Sequence, residues 1–391
     1  MNIILFDQPS FRNQLKPITL TRPIGKVRVG ILTINEKWQK YLNADISFLT
    51  ESYLSKKYKT TYANQNYYIN ASCLPNEHFA NAISKLRENE ALISNGILLA
   101  LSSSQKLVFG EMNLPKLNTI EYSHSDITTI SELPHLFLNN GSQIIADFEK
   151  ITKGRKSASI LDKYTAIYNE QSIFIEEGAS LKASILNAEN GPIYVGKNAI
   201  IQEGSLIIGP ASICENATVA LGAKIRPNTT IGPASRVGGE VGNSIFHGNS
   251  NKAHDGFLGN SYIGKWCNLG ANTNNSNLKN DYKTVKLYNY NTQSLYDTNE
   301  IYCGTFMGDY SKTGISTMFN TGTVVGVSSN IYGSDFQEKF INSFSWGGKT
   351  DGYQTYRFEK ALEVINATMA RREKSLNIEE IEILSYISKN K

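Results

Sequence analysis

The sequence predicts an α/β domain followed by a parallel β-helix of hexapeptide repeats, with helices closing the chain. Three observations carry this reading. At 391 residues the chain exceeds what one hydrophobic core ordinarily supports. An apolar, mostly branched residue recurs every six positions through the middle of the chain, a period that belongs to stacked coils. Before that stretch short apolar runs mix with helical patterns, and after it apolar residues return at helical spacing. The units expected are 1–165 for the α/β domain, 166–345 for the β-helix and 346–391 for a helical extension.

In the first unit, Ile3-Ile4-Leu5-Phe6 reads as a buried strand, with further strands over 46–50, 67–70 and 97–101 and a helix over 76–90. Strands mixed with helices favour a layered α/β domain, whose ligands sit outside the carboxyl ends of the strands. The loop after the first strand holds Arg12, Lys16, Arg22, Lys26 and Arg28. That is enough positive charge to face a nucleotide or sugar phosphate; a solvated basic loop fits the same residues.

In the second unit, Val195, Ile201, Ile207, Ile213, Val219, Ile225, Ile231 and Val237 keep the six-residue step. It slips at Gly238-Gly239 and resumes with Ile245, Phe257, Ile263 and Leu269 around a polar slot at Asn251. After a loop it returns at Ile301, Met307, Phe319, Val325 and Ile331, with Thr313 in a weak slot, so that repeats fill most of 173–335. In a triangular prism each short strand points one such residue inward. Gly and Asn suit the corners because they tolerate φ > 0, and Pro presets φ. Coils then stack about 4.8 Å apart, bonded backbone to backbone. An antiparallel sandwich would alternate with period two instead.

In the third unit, Phe358, Leu362, Ile365 and Met369 recur at helical spacing, and Asn377 with Glu380 forms a variant capping box. Two helices are expected, packed on the prism and covering the edge of its last coil. A net charge of +4 on 39 basic and 35 acidic residues gives no field for nucleic acid or an anionic membrane, and leaves small anionic ligands open. No stretch approaches the roughly 20 apolar residues of a membrane span, and no leader pattern opens the chain, so a cytoplasmic protein is expected. Cys73, Cys214, Cys267 and Cys303 lie far apart without CxxC spacing and are expected as reduced, packed thiols.

Architecture does not give function, so the chemistry must come from a site. Polar residues interrupt the register in Ser250-Asn251-Lys252-Ala253-His254-Asp255-Gly256, where burying them unpaired would be unfavourable. An amine that takes an acyl group from a thioester must lose a proton, and neutral histidine accepts one near pH 7. His254 is the candidate base; a histidine satisfied at a coil corner is the other reading. A second candidate runs from Asn268 through Asn272, Asn274, Asn275 and Asn277 to Lys279 and Lys283. Its amides offer donors and acceptors to a sugar and its lysines offer point charges to phosphate. Asparagine-rich corners with a soluble loop account for it equally.

From Arg226 to Ile331 the sequence resembles the acetyltransferase half of the bifunctional GlmU family, which acetylates glucosamine 1-phosphate and uridylylates the product. The residues that carry this are His254-Asp255-Gly256-Phe257-Leu258-Gly259, Asn268-Leu269-Gly270-Ala271, Asn277, Lys283, Arg226-Pro227 and Glu240. Over its whole length the chain resembles an alternative GlmU-like group with a sugar nucleotidyltransferase-like first domain, through Thr19-Leu20-Thr21-Arg22-Pro23 and Asn320-Thr321-Gly322-Thr323. The resemblance implies a left-handed prism, His254 as base, and Arg226, Glu240, Asn268, Asn277 and Lys283 as contacts to the sugar phosphate. It also implies Ala271 beside acetyl-CoA and a homotrimer with sites between neighbouring prisms. Two departures stand out on the acceptor side: Phe257 replaces a tyrosine, and Gly242 falls where a sugar-binding lysine belongs, with Lys252 as a substitute. The glycine loop Gly-x-Gly-Thr-Arg is absent after the first strand, so Lys16, Arg22 and Arg28 would have to hold the nucleotide phosphates. Magnesium is expected with nucleotidyl transfer, and the sequence names no ligands for it.

The expectation is therefore a sugar-nucleotide enzyme with two transferase activities, acetyl transfer by the prism and nucleotidyl transfer from UTP by the first domain. Nucleotidyl transfer alone on a scaffold prism is one rival, and a non-enzymatic sugar-nucleotide-binding scaffold is another.

Overall fold

In the computed structural model of the protein, residues 1–110 and 117–391 are described. The first domain is a mixed sheet in the order β2-β1-β3-β5-β4-β6, with β1 (Ile3–Phe6), β2 (Ile46–Leu49), β3 (Asn66–Asn70), β4 (Glu90–Ser94), β5 (Ile97–Ser103) and β6 (Asn118–Glu121). β1 runs parallel to both neighbours, and β5 is antiparallel to β3 and β4. Alternation along β1 feeds two cores: Ile3 and Leu5 meet Trp38 and Phe79, and Ile4 and Phe6 meet Tyr68 and Leu101. The helices are α1 (Pro9–Gln14), α2 (Ile34–Leu42), α3 (Ser52–Ser55), α4 (Glu77–Ser84), α5 (Leu133–Leu138) and α6 (Asn140–Thr152). The helix expected over 76–90 stops at Ser84. Asn76 caps it by accepting the Phe79 N–H at 2.7 Å, but Asn89 turns the chain at φ 62 and Glu90 already belongs to β4.

The middle of the chain is a parallel β-helix with three faces. One face is a nine-stranded sheet from Ile173–Ile175 to Phe340–Ile341, here called the docked face. A second, the open face, has six strands from Ala166–Tyr168 to Phe257–Gly259. A third, the cleft face, rises from Ser180–Leu181 to Asn251–Lys252 and continues through Asn268 to Lys312–Thr313. Inward residues stack coil on coil; on the docked face Val195, Ile213, Ile231, Phe246 and Ile263 form one column. Corners carry Asn198, Asn216, Asn228, Asn243, Asn260 and Asn272 in the left-handed region, which explains the wealth of asparagine.

The register differs from the expected one after Val237. Val241, Phe246 and Leu258 point inward, while Ile245 and Phe257 are their outward neighbours. Ile301 is 43% exposed and lies outside the register, which returns at Met307. Ile245 is nevertheless buried, because the first domain lies against the docked face: Ile245, Tyr262, Phe306 and Val324 share a core with Ile3, Leu5 and Phe137. The insertion before Met307 is an ordered hairpin, Lys286–Asn289 with Ser294–Asp297, whose Val285 and Leu287 enter that same core.

Two helices close the chain, α7 (Phe358–Ala370) and α8 (Ile378–Lys389), the latter with a complete Asn377/Glu380 capping box. They pack on the side of the prism through Trp266 and Tyr310 and touch α3 through Leu54, rather than covering the last coil. Gly352–Thr355 does that instead, by pairing antiparallel with Ser345–Gly348. All four cysteines are buried and free. Among the described residues no helix is long and apolar enough to cross a membrane.

Candidate functional site

The corner between cleft face and open face carries His254, exposed, on the turn between strands Asn251–Lys252 and Phe257–Gly259. Directly beneath it Lys252 takes the inward slot stacked on Val237. Its side chain is among the fully buried ones, and Nζ donates to the carbonyls of Gly238 at 3.2 Å, His254 at 3.1 Å and Gly256 at 2.6 Å. Burial pushes its ammonium down to about 8. Lys252 therefore cannot be the substitute sugar contact; it ties down the corner from inside.

His254 opens into a cavity of about 990 Å³ between the cleft face and α7. Asn268 and Ala271 line it too, so three of the expected residues meet there. Its cations are Arg236, Lys312, Arg371 and Arg372, and among the described residues no carboxylate lines it. Lys312 Nζ is buried without a hydrogen-bond partner among the described residues, and burial lowers its pKa. Arg372 is fixed by the Ala234 carbonyl, by Asn251 Oδ1 at 3.0 Å and by the Trp266 ring at 5.7 Å. Such a cavity suits a long ligand bearing several phosphates.

Arg226, Glu240 and Asn277 gather elsewhere, on the open face. Arg226 pairs with Glu240 at 3.2 Å, and its stem lies over Gly242, where an added Cβ would come within 3.1 Å of the Arg226 Cβ. A Cβ at Gly259 would meet the Phe257 ring at 2.7 Å and the Asn277 amide at 2.8 Å. The two glycines thus floor a shallow patch rimmed by Arg226, Glu240, Phe257 and Asn277. Lys283 stays outside it, exposed and paired with Asp281 at 3.3 Å. Within one chain, then, the expected set divides between two faces that share the His254 corner. Of the remaining asparagines, Asn275 is structural: it holds Gly259 and Ser261 from the prism interior.

Arg12 of the basic loop stays at the carboxyl end of β1, and the later part of the loop turns toward the prism. At the end of β1, Asp7 is held by Arg12 at 2.8 Å, by Thr50 and by the Ile24 N–H, while Arg12 also bonds the Thr19 and Arg22 carbonyls. This hub bends the loop toward the prism, where the guanidinium of Arg22 pairs with Asp309 and Arg28 bonds the His247 carbonyl at 3.2 Å. Both arginines line a junction cleft of about 310 Å³ between first domain, prism and α8; Lys16 is not among the residues lining it. Magnesium prefers free carboxylate oxygens. Asp7 is paired with Arg12, Asp309 with Arg22 and Glu380 with Lys57 at 2.6 Å, so these acids do not fit as its ligands.

Sequence reasoning missed Arg371, Arg372 and Lys312 in the α7 cavity, and His247 and Lys265 in the junction cleft. Only the Arg371-Arg372 doublet after an amphipathic helix offered a signal. His247 is buried against the Tyr262 hydroxyl at 2.7 Å, and burial together with Arg22, Lys265, Arg28 and Lys26 holds it well below the usual histidine range.

Comparison with known proteins adds the following. Residues 3–156 match the sugar nucleotidyl transferase family. The bifunctional protein GlmU of Methanocaldococcus jannaschii is 36% identical over 131 residues, 33% of this chain and 31% of that protein. The bifunctional protein GlmU of Wigglesworthia glossinidia brevipalpis is 27% identical over 248 residues, 56% of this chain and 50% of that protein. The chain thus matches about a third to a half of the length of these relatives. Among solved structures, the polySia-specific acetyltransferase NeuO aligns at a TM-score of 0.24 and 11% identity, over 50% of this chain and 85% of that one.

Proposed function

We propose that this chain, whose residues 3–156 match the sugar nucleotidyl transferase family and which is similar to parts of bifunctional GlmU proteins, makes a sugar nucleotide in two transferase steps. The prism moves acetyl from acetyl-CoA to the amine of an amino-sugar 1-phosphate, in the first instance glucosamine 1-phosphate. The first domain joins the sugar 1-phosphate to the nucleotidyl group of UTP and releases pyrophosphate. The working units remain 1–165, 166–345 and 346–391.

The observation that carries the acetyl step is the α7 cavity, which combines His254 with Arg236, Lys312, Arg371 and Arg372 and, among the described residues, has no acid in its lining. These cations take the phosphates of acetyl-CoA, and Ala271 and Asn268 line the way toward His254. His254 takes a proton from the amine as its nitrogen bonds to the thioester carbonyl carbon. The carbon–sulfur bond then breaks, and coenzyme A leaves as the thiol once its sulfur is protonated.

The acceptor's phosphate and sugar are assigned to Arg226, Glu240 and Asn277 on the open face of a neighbouring copy in a homotrimer, with Lys283 reaching in from the loop beside that face. Lower on that face Tyr168, Ile185, Leu206 and Ile208 are 49%, 39%, 40% and 36% exposed, an apolar strip that suits contact with another copy. A second reading, nucleotidyl transfer alone, draws support from the burial of Lys252, which leaves no lysine to stand in for the one expected at Gly242.

Purified protein supplied with acetyl-CoA and glucosamine 1-phosphate is expected to release free thiol, and pyrophosphate once UTP is added. Pyrophosphate without thiol would select the second reading. Replacing Arg371 and Arg372 together with alanine is expected to raise KM for acetyl-CoA about tenfold with kcat little changed, the pattern for lost ground-state binding. An unchanged KM would remove coenzyme A from the α7 cavity.

A further inference from the structure

Five cations, Arg22, Lys26, Arg28, Lys57 and Lys265, face three carboxylates, Glu36, Asp309 and Glu380, across the junction cleft. We propose that this cleft is a binding site for a phosphoryl dianion, either inorganic phosphate or the phosphate group of a small metabolite, which ties the first domain to the prism. The site does not rest on the acetyl-transfer reading. Of the residues lining the α7 cavity, it shares Trp266 alone.

The carboxylates are already engaged. Asp309 Oδ2 accepts Thr21 at 2.7 Å as well as the Arg22 guanidinium, and its Oδ1 accepts the Lys265 backbone N–H at 2.7 Å. Glu380 holds Lys57, and Glu36 accepts the Thr33 N–H at 2.7 Å with Arg28 at 4.0 Å. Three donors are left over among the described residues, one of them the Lys26 ammonium, which lies over the Phe48 ring and has no ion pair or hydrogen bond there. Arg22 is 3% exposed and its Nη1 has no partner, and the Lys265 ammonium makes no ion pair or hydrogen bond among the described residues. His247, neutral in this setting, brings no negative charge. Buried cations in excess of their acids are unfavourable until an anion joins them. Guanidinium and ammonium groups converging in one cleft are the donors that phosphate oxygens select. A volume of about 310 Å³ holds a phosphoryl group with a small substituent.

The test titrates inorganic phosphate, glucose 1-phosphate and UTP separately into the full chain by calorimetry, at constant ionic strength set with chloride. Saturable binding of at least one of them is expected, weakened tenfold or more by Lys265→Met and unaffected by the Arg371→Ala, Arg372→Ala pair. With no phosphate present, Lys265→Met is also expected to melt higher than the parent, since it removes an unpaired cation; a lysine with a purely structural role would lower the melting point. If that variant fails to fold, Lys26→Met serves at the same cleft. UTP competing with inorganic phosphate would identify the phosphoryl group as a nucleotide's, and phosphate or glucose 1-phosphate binding without UTP would identify a smaller ligand. Absence of saturable binding, or an isotherm indifferent to both lysine variants, overturns the proposal.

Discussion

His254→Ala is expected to slow acetyl transfer by roughly 10²–10⁴-fold, the usual worth of a positioned general base. The melting temperature should hardly move, because the ring is exposed and has no hydrogen-bond partner among the described residues. Only the His254 backbone carbonyl serves the fold, by accepting the Lys252 ammonium, and alanine keeps that carbonyl. The loss should fall on kcat, with KM for acetyl-CoA near the parent value, since the proton is taken only as the nitrogen attacks. Added imidazole should restore part of the rate by entering the space the ring leaves. Thiol release within threefold of the parent would remove His254 from the role of base.

The period of six was legible because a prism interior admits one side chain per strand and excludes the rest. The exact inward residue was less so, and Ile245-Phe246 and Phe257-Leu258 show why. Each is an adjacent apolar pair, and the outward member Ile245 is as buried as the inward Phe246, since the first domain covers it. Hydrophobicity reports burial but not which body does the burying. The same limit hid the fate of the basic loop. Arg22 meets Asp309 across 287 positions of sequence, and no local pattern announces such a pair. His254 was readable for the opposite reason: a polar run inside a strict apolar period marks where the prism stops serving its own core. Lys252 belongs to that run, but the resemblance makes it a substitute for a lysine expected at Gly242, whereas it occupies an inward slot stacked on Val237.

That inward lysine supports the second large prediction. Lys252→Met is expected to lower acetyl transfer by about 100-fold, the scale of an ångström-sized misplacement at a reacting centre. Without the ammonium, the carbonyls of Gly238, His254 and Gly256 lose their shared donor, and the corner carrying His254 keeps its coil-to-coil backbone bonds but no tie from the prism interior. Stability at pH 7 should not fall in step with activity, because methionine fits an otherwise apolar slot and removes a buried charge. The pH dependence separates the two effects. Burial lowers the lysine from 10.5 to about 8, so between those values the folded protein holds fewer protons at this site than the unfolded chain does. Stability of the parent therefore rises with pH across that window, by up to about 3 kcal/mol from this group. Lys252→Met should lack that rise, while the contribution of Lys265, also pushed down to about 8 by burial, persists in both proteins and cancels in the comparison. Chemical denaturation of parent and variant from pH 7 to pH 10.5 measures the difference directly. Parallel stability curves would show that burial does not lower the Lys252 ammonium in the folded protein, and full activity in the variant would show that the corner stands without it.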